Sequence, residues 1–221
     1  MSWFYNGEMS IDQIRDFQRG RKNPGNAPAM RSVPIGFIAE QKINNYSSIN
    51  ANATHPNEIA IVSSQCIARA AHYSIIKKGN SKDLITYCIE NVEINKEFRD
   101  YLLAVNDIGD YEDLSTKEIN ILCGKQPIEA PYFLPGINGV PSDSKYTTGC
   151  ILYVLKNSDS AMDSLMKSIY LGGDVDSVAS ITTGISAGIH GVDSLPKFMI
   201  ESVEGKDYLE EIADLFSKKY Y

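Results

Sequence analysis

The sequence predicts an all-α protein, and three observations lead to this fold class. Apolar residues recur every three or four positions along most of the chain, which is the spacing of one helix face. Two segments, Ser10–Gln13 and Ser115–Glu118, have the capping-box pattern that begins helices. No segment combines strict apolar–polar alternation with hairpin turn residues, so no sheet is required. We therefore expect residues 1–221 to form a single, compact, orthogonal multi-helix bundle.

The helices can be placed in order along the chain. The first capping box begins a helix that ends at Gly20, and a second helix has Pro56 as its first residue and continues to Gly79. A third helix opens at Ser81, and the second capping box begins a fourth. The same spacing predicts helices over residues 145–156, 159–171, 175–190, 194–202 and 206–219. The Pro- and Gly-rich stretch 124–144 is apolar enough to be a packed loop rather than a linker.

Composition argues against several classes of protein. The chain has 221 residues, of which 21 are Lys or Arg and 28 are Asp or Glu, so its net charge is -7. A general nucleic-acid binder would carry a basic stripe, so we expect no nucleic-acid partner. No apolar run approaches the roughly 18 residues of a membrane span, and the first residues do not resemble a secretory signal. We expect a soluble, cytoplasmic protein with no membrane partner.

The cysteines do not have the spacing of a zinc site. No two of them are separated by two residues, and no His lies close enough in sequence to complete a metal centre. Free cysteine is among the most buried residue types and packs as a small hydrophobic residue. We expect reduced, buried thiols at Cys66, Cys88, Cys123 and Cys150.

The segment most indicative of chemistry lies between two predicted helices. Gly172 and Gly173 end one helix, so Asp174 and Asp176 lie at the N-terminus of the next. The two carboxylates converge only if Asp174 precedes the first turn, and Ser177 then adds a hydroxyl on the side of Asp174. Hard oxygen atoms of this kind are ligands of Mg²⁺ or Mn²⁺. The alternative is an N-cap aspartate followed by a second acid that the helix dipole favours.

The helix after Asp176 has one side that is almost bare. Its apolar stripe contains Val178, Ile181, Ile185 and Ile189, whereas the small residues fall elsewhere. These small residues are Ala179, Ser180, Thr183, Gly184, Ala187, Gly188 and Gly191. We expect neighbouring helices to approach closely at this bare side and to place the helix centrally in the bundle.

Two further segments are candidates for binding a ligand. Asn23, Pro24, Gly25 and Asn26 form a turn whose backbone N–H groups can point at an anion. Basic residues precede this turn, at Arg19, Arg21 and Lys22, and supply positive charge for an anion. The alternative to an anion-binding turn is a solvated surface loop before a helix that begins near Pro28. His55 follows Thr54 at a predicted helix start, where it can bind a ligand, or where either residue can simply cap the helix.

Together these segments resemble the ADP-ribosylglycohydrolase family, which includes the dinitrogenase-reductase-activating glycohydrolases. The matching stretches are Gly25–Arg31, Thr54–His55, Gly172–Ile181 and the small-residue helix followed by Leu195–Pro196. The resemblance implies an all-α bundle with two Mg²⁺ ions, or Mn²⁺, in a cleft that binds ADP-ribose. It further implies hydrolysis of the glycosidic bond of an ADP-ribosylated protein or a related ADP-ribosyl compound.

The resemblance also assigns roles to residues of this chain. The family's C-terminal metal ligands correspond to Asp174, Asp176 and Ser177. Its phosphate-binding loop corresponds to Asn23, Pro24, Gly25 and Asn26, and His55 lies near the ligand. The catalytic residue stays unassigned.

One part of the family pattern is missing. Family members carry an N-terminal Thr-Asp-Asp-Thr motif, which supplies the other half of the metal shell and an acidic residue for catalysis. Nothing before Arg31 in this sequence resembles that motif. Two functions are therefore open: a hydrolase whose missing half comes from a separate chain, or a catalytically inactive, ADP-ribose-binding or partner-binding helical domain. In both cases we expect these 221 residues alone to bind a single ion weakly.

Overall fold

A computed structural model describes residues 5–124 and 139–220. Within these ranges the chain forms helices and no β-strand, and two isolated bridges are the only extended pairings. The all-α prediction is confirmed. The helices are α1 (Ile11–Arg19), α2 (Ala27–Met30), α3 (Ile43–Asn52), α4 (Glu58–Ala71), α5 (Leu84–Asn91), α6 (Lys96–Asn106), α7 (Thr116–Cys123), α8 (Ser144–Lys156), α9 (Ala161–Leu171), α10 (Val175–His190), α11 (Lys197–Glu201) and α12 (Lys206–Tyr220).

Two helices form the centre of the bundle. Ten residues of α4 and ten residues of α8 are buried, and the two helices contact each other. Helices α2 and α3 pack on α4, while α6, α7, α9 and α10 pack on α8. The N-terminal ends of α8 and α10 and the loop before α2 therefore lie close to one another, and this is where the candidate site forms.

The second predicted helix differs from expectation at both ends. Pro56 is not its first residue; α4 begins at Glu58, because the Asn57 side chain accepts a hydrogen bond from the Ile59 amide and caps the helix. The α-helix ends at Ala71 and continues as a π-helical turn, His72–Ile76. Because Asn57 is the cap, the interpretation of Thr54 or His55 as a capping residue is wrong.

The other helix starts largely follow the sequence pattern. Ser10 and Ser115 each begin a helix with both hydrogen bonds of a capping box. The helix predicted to open at Ser81 instead begins with a 3₁₀ turn, Ser81–Asp83, capped by the Asn80 side chain, and α5 starts at Leu84. Of the predicted loop 124–144, residues 125–138 lie outside the described residues.

The cysteine prediction is confirmed. All four cysteines are free and buried, at Cys66, Cys88, Cys123 and Cys150. Burial raises the pKa of the Cys66 thiol to about 12, so this thiol stays protonated at neutral pH. Among the described residues, no helix has both the length and the apolar character that crossing a membrane would need.

The bare side of α10 is only partly covered, so the expectation that neighbouring helices approach it is met at some of its small residues and not at others. Ser180 and Gly184 face solvent, and a Cβ added at Gly184 would meet no atom within 4 Å. The opposite side, with Val178 and Ile185, is buried against α8 and α9. Neighbouring elements do cover Ala179, which is 8% exposed, and a Cβ added at Gly188 would lie 2.5 Å from Ile75.

The last two helices also leave apolar surface uncovered. Neither α11 nor α12 contains a buried residue. Phe198 is 66% exposed and Tyr208 is 65% exposed, and Leu209, Ile212 and Leu215 on α12 are exposed as well. An apolar helix face of this kind usually packs against another element.

Candidate functional site

The site begins where the chain before α8 crosses the chain before α10. The Val140 amide donates to the Gly172 carbonyl (3.0 Å), and the Asp174 amide donates to the Val140 carbonyl (2.8 Å). Gly173 has a φ of +76°, and a Cβ on it would lie 2.2 Å from the Val140 carbonyl oxygen. Only glycine permits this crossing, which fixes the backbone immediately before Asp174.

The loop before α2 joins the same crossing. The Asn26 amide donates to the Ser142 carbonyl (3.2 Å), and the Ser144 amide donates to the Pro24 carbonyl (2.9 Å). The Ser144 hydroxyl also donates to the Gly25 carbonyl (2.7 Å). Three segments that are far apart in sequence are thereby held together by backbone contacts.

These contacts correct the predicted anion loop in part. The sequence predicts several free backbone N–H groups in this loop. However, the backbone N–H of Asn26 donates to the Ser142 carbonyl, and Pro24 carries no N–H. This leaves the amides of the exposed Asn23 and of Gly25 as candidates for an anion.

The Asn26 side chain connects two of the sequence motifs. Its amide nitrogen Nδ2 donates to Asp174 Oδ2 (2.6 Å) and to Thr147 Oγ1 (3.0 Å). Asn26 is buried, at 6% exposure, and Thr147 is fully buried. Sequence reasoning did not identify Thr147, because a contact across 121 positions leaves no local pattern.

Asp174 does not act as a helix cap. It occupies the N-cap position of α10, yet its side chain makes no capping hydrogen bond and turns to Asn26 instead. Asp176 Oδ1 accepts a hydrogen bond from the Ser177 amide (2.9 Å), and Ser177 Oγ lies 3.5 Å from the Met30 sulfur. The capping interpretation of Asp174 is therefore wrong, and its carboxylate lies among the other site residues.

His55 borders the anion loop. A Cβ added at Gly25 would lie 3.3 Å from His55 Nε2, so the imidazole and the loop are in contact. The other ring nitrogen, Nδ1, lies 2.9 Å from Thr54 Oγ1. The structure thus brings His55 together with the loop that contains Gly25.

Comparison with known proteins identifies the family. The family model of ADP-ribosylglycohydrolases matches residues 4–221, which is nearly the whole chain. The chain belongs to the ADP-ribosylglycohydrolase family. The resemblance inferred from the sequence motifs is confirmed.

Curated relatives are longer than this chain. It is 26% identical over 211 residues to ADP-ribosylhydrolase ARH3 of Danio rerio, covering 88% of this chain and 57% of that protein. It is 22% identical over 209 residues to the Homo sapiens protein of the same name, with 88% and 58% covered. An uncharacterized protein of Archaeoglobus fulgidus is 26% identical over 188 residues, with 84% and 55% covered. The chain therefore spans a little more than half the length of these relatives.

The two carboxylates of this family member titrate as a pair. Burial raises the pKa of Asp174, and the hydrogen bond from Asn26 only partly offsets this effect. The interaction with the Asp174 side chain lowers the pKa of Asp176, which is exposed. As the pH falls, Asp174 takes up the first proton, and Asp176 stays ionised to lower pH.

His55 is poised to act as a neutral hydrogen-bonding group. Its partial burial, followed by the positive charges of Arg31 and Arg21, lowers its pKa from the usual 6.5. Arg31 is itself held in place, because its guanidinium donates to Thr54 Oγ1 (2.9 Å) and to Asn50 Oδ1 (3.0 Å). Sequence reasoning did not single out Arg31 as a site residue, although it stands in the quoted motif.

The oxygen donors at the start of α10 fit half of a site for a hard divalent cation. Asp174, Asp176 and Ser177 supply two carboxylates and one hydroxyl within four positions, and the Asp174 carboxylate is not used for capping. Within residues 5–124 and 139–220, no group of three or more His, Cys, Asp or Glu side chains is close enough to form a metal site by itself. A complete site would need ligands beyond these three.

Proposed function

We propose that this chain contributes the phosphate-binding loop and half of the metal shell of an ADP-ribosyl hydrolase. The reaction is hydrolysis of the glycosidic bond of an ADP-ribosylated protein or a related ADP-ribosyl compound, dependent on Mg²⁺ or Mn²⁺. The observation that carries this proposal is the Asp174 carboxylate, which is withheld from helix capping and held by Asn26 beside Asp176. Relatives named ADP-ribosylhydrolase support the substrate class.

Each residue has a role in this proposal. Asp174, Asp176 and Ser177 would hold a cation, which supplies Lewis-acid polarisation of substrate oxygen atoms when bound. Asn26 orients Asp174 through its 2.6 Å hydrogen bond. The neutral His55 imidazole would hydrogen-bond the substrate through Nε2, because its Nδ1 already faces Thr54 Oγ1.

The loop would bind the pyrophosphate of the substrate. The amides of Asn23 and Gly25 are available for this, and Arg31 and Arg21 supply positive charge in an acidic chain. The small size of Gly25 lets a phosphate approach the backbone closely.

A second polypeptide segment would complete the site. The relatives extend well beyond the matched region, and the three donors at α10 are too few for a two-ion site. We propose that a separate chain, or a further segment of this one, supplies the remaining carboxylates.

The alternative function is binding without hydrolysis. It is favoured by the lack of any three-residue cluster of metal-ligating side chains within the described residues. In that case the chain would bind ADP-ribose or a protein partner through the same loop, and it would hold metal too weakly for turnover.

A paired binding and activity experiment tests these proposals. By titration calorimetry, the chain alone should bind Mg²⁺ or Mn²⁺ weakly at one site, and Asp176→Asn should abolish this binding. Asp113→Asn is the matched control, because it removes an exposed carboxylate outside the site. Release of ADP-ribose from an ADP-ribosylated protein should be slight with the chain alone and should rise when a Thr-Asp-Asp-Thr-containing family segment is added.

The other outcomes are distinguishable. Robust metal-dependent release by the chain alone would show that the three donors suffice and that no second segment is needed. Release that survives the combined Asp174→Ala and Asp176→Ala changes would place the reaction elsewhere. Tight ADP-ribose binding with no release, even with the added segment, would favour the non-catalytic function.

A further inference from the structure

A cavity lies at the far end of α10 from the carboxylates. It has a volume of about 440 Å³ and is lined by the π-helical turn after α4, the end of α8 and the end of α10. Because α10 has 16 residues and an α-helix rises 1.5 Å per residue, this end is about 24 Å from Asp174. Ligand cavities commonly have volumes of about 300–1,000 Å³, so the space suits a small molecule.

Two serine side chains that form no hydrogen bond with a described residue line this cavity. Ser74 is 7% exposed and Ser186 is 2% exposed. Neither hydroxyl forms a hydrogen bond with any described residue, whereas the nearby Ser168 and Thr182 hydroxyls pair with each other at 2.8 Å. Because both residues line the cavity, their hydroxyl groups are available to a polar group of a ligand there.

A lysine in an unusual conformation lies at the mouth. Lys78 has a φ of +51° and is the only non-glycine residue with a positive φ in the described part of the chain. This position follows a helical segment, where glycine is the usual residue because it adopts the left-handed region without strain. Lys78 forms no ion pair or hydrogen bond through its ammonium group with any described residue, so its charge is available to a ligand.

The remaining polar groups define the kind of ligand. The His190 imidazole and the exposed Asp159 carboxylate also line the cavity. The amide of Gly191 makes no capping hydrogen bond at the end of α10, so carbonyl oxygens there can accept from hydroxyl groups. The apolar walls are formed by Ile75, Leu155 and Ile189. Hydroxyl donors suit these carbonyls and Asp159, whereas Lys78 requires an anionic group.

We propose that this cavity binds a small hydroxyl-bearing organic anion of the sugar phosphate class, at a site separate from the carboxylates of α10. The phosphate contacts Lys78, the sugar hydroxyls contact Ser74, Ser186 and the carbonyls at the end of α10, and the sugar ring packs on the apolar walls. The site is independent of metal, because Asp159 is the one carboxylate among the residues that line the cavity and it is exposed.

Calorimetry with ribose 5-phosphate tests this proposal. Lys78→Gly should weaken binding about tenfold or more, because it removes a charge-assisted hydrogen bond. The same change relieves the left-handed strain, so its thermal midpoint should not fall. Ser186→Ala should weaken binding severalfold, and Lys117→Ala, which removes an exposed lysine elsewhere, should leave it unchanged. Ribose without phosphate should bind more weakly than ribose 5-phosphate.

Three results would overturn the proposal. The first is no binding of ribose 5-phosphate by the unaltered chain at millimolar concentration. The second is equal affinity for the unaltered chain and Lys78→Gly. The third is binding that is lost in Gly25→Val but retained in Lys78→Gly, since this would place the ligand in the loop before α2.

Discussion

Replacing Asn26 by alanine tests whether this side chain holds the candidate site together. Asn26 Nδ2 is the donor to both Thr147 and Asp174, and it joins the loop before α2 to the starts of α8 and α10. The change removes both hydrogen bonds and leaves the backbone contacts of the loop in place. We expect a loss of stability and of ADP-ribose binding with helix content preserved.

The size of the loss follows from the two bonds. The neutral bond to Thr147 contributes about 1 kcal/mol, and the bond to the charged Asp174 contributes about 1.5–3 kcal/mol. Thr147 keeps a second partner, since its hydroxyl also lies 3.1 Å from the Pro141 carbonyl. Asp174 is only partly buried, so water replaces part of the lost bond. The expected decrease in unfolding free energy is therefore about 2–3 kcal/mol, near the lower end of the sum.

Urea unfolding followed by circular dichroism measures this decrease directly. In a chain of this size, 1 kcal/mol corresponds to about 2–4 °C, so the thermal midpoint should fall by about 4–12 °C. Asn23→Ala is the matched control, because Asn23 is exposed and its replacement should change stability by less than about 0.5 kcal/mol. A decrease below about 0.5 kcal/mol for Asn26→Ala would show that the bonds to Asp174 and Thr147 do not stabilise the site.

Three further changes probe the surroundings of this pair. In urea unfolding, Gly173→Ala should destabilise the chain far more than Gly205→Ala. Both glycines have a positive φ, but only at Gly173 would the added Cβ lie close to a backbone oxygen, 2.2 Å from that of Val140. Gly25→Val should displace the His55 ring and weaken ADP-ribose binding in calorimetry without changing helix content; equal affinities would remove the loop from the site. Because the pKa of His55 is lowered in the folded chain, the imidazole binds a proton more tightly when the chain is unfolded. The free energy of unfolding should therefore fall as the pH drops below about 6.5. This decrease should be smaller in His55→Gln.

The fold class and most helices follow from local patterns, which the sequence contains in full. Both capping boxes form as expected, because their hydrogen bonds join residues three positions apart. The start of α4 was misplaced, since Pro56 and Asn57 both fit a helix start and only the side-chain bond to Ile59 decides between them. Periodicity locates a helix more reliably than it locates the helix end.

The candidate site could be predicted only in its parts. Motif resemblance identified Asp174, Asp176 and His55, but the contact that joins Asp174 to Asn26 spans 148 positions. No spacing rule shows that Asn26 donates its amide nitrogen to this carboxylate. The same limit applies to the bare side of α10: small residues permit close packing, but they do not determine which element packs there.

That bare side leads to a last prediction. Asp176, Ser180 and Gly184 are spaced four residues apart and are all exposed, so they form one stripe along α10. A segment that covers this stripe would lie beside Asp176, where the missing metal ligands are needed.

Gly184 separates this packing role from the folding of the chain itself. A Cβ at Gly184 meets no atom within 4 Å, and alanine is favoured over glycine inside a helix by about 1 kcal/mol, so Gly184→Ala should slightly stabilise the chain alone. Gly184→Leu should fold equally well, yet it should weaken association with a Thr-Asp-Asp-Thr-containing segment and reduce the ADP-ribose release that the segment restores. Because the substitution leaves Asp174 and Asp176 in place, weak Mg²⁺ binding by the isolated chain should persist. Unchanged association of Gly184→Leu would show that the completing segment approaches the carboxylates from another side.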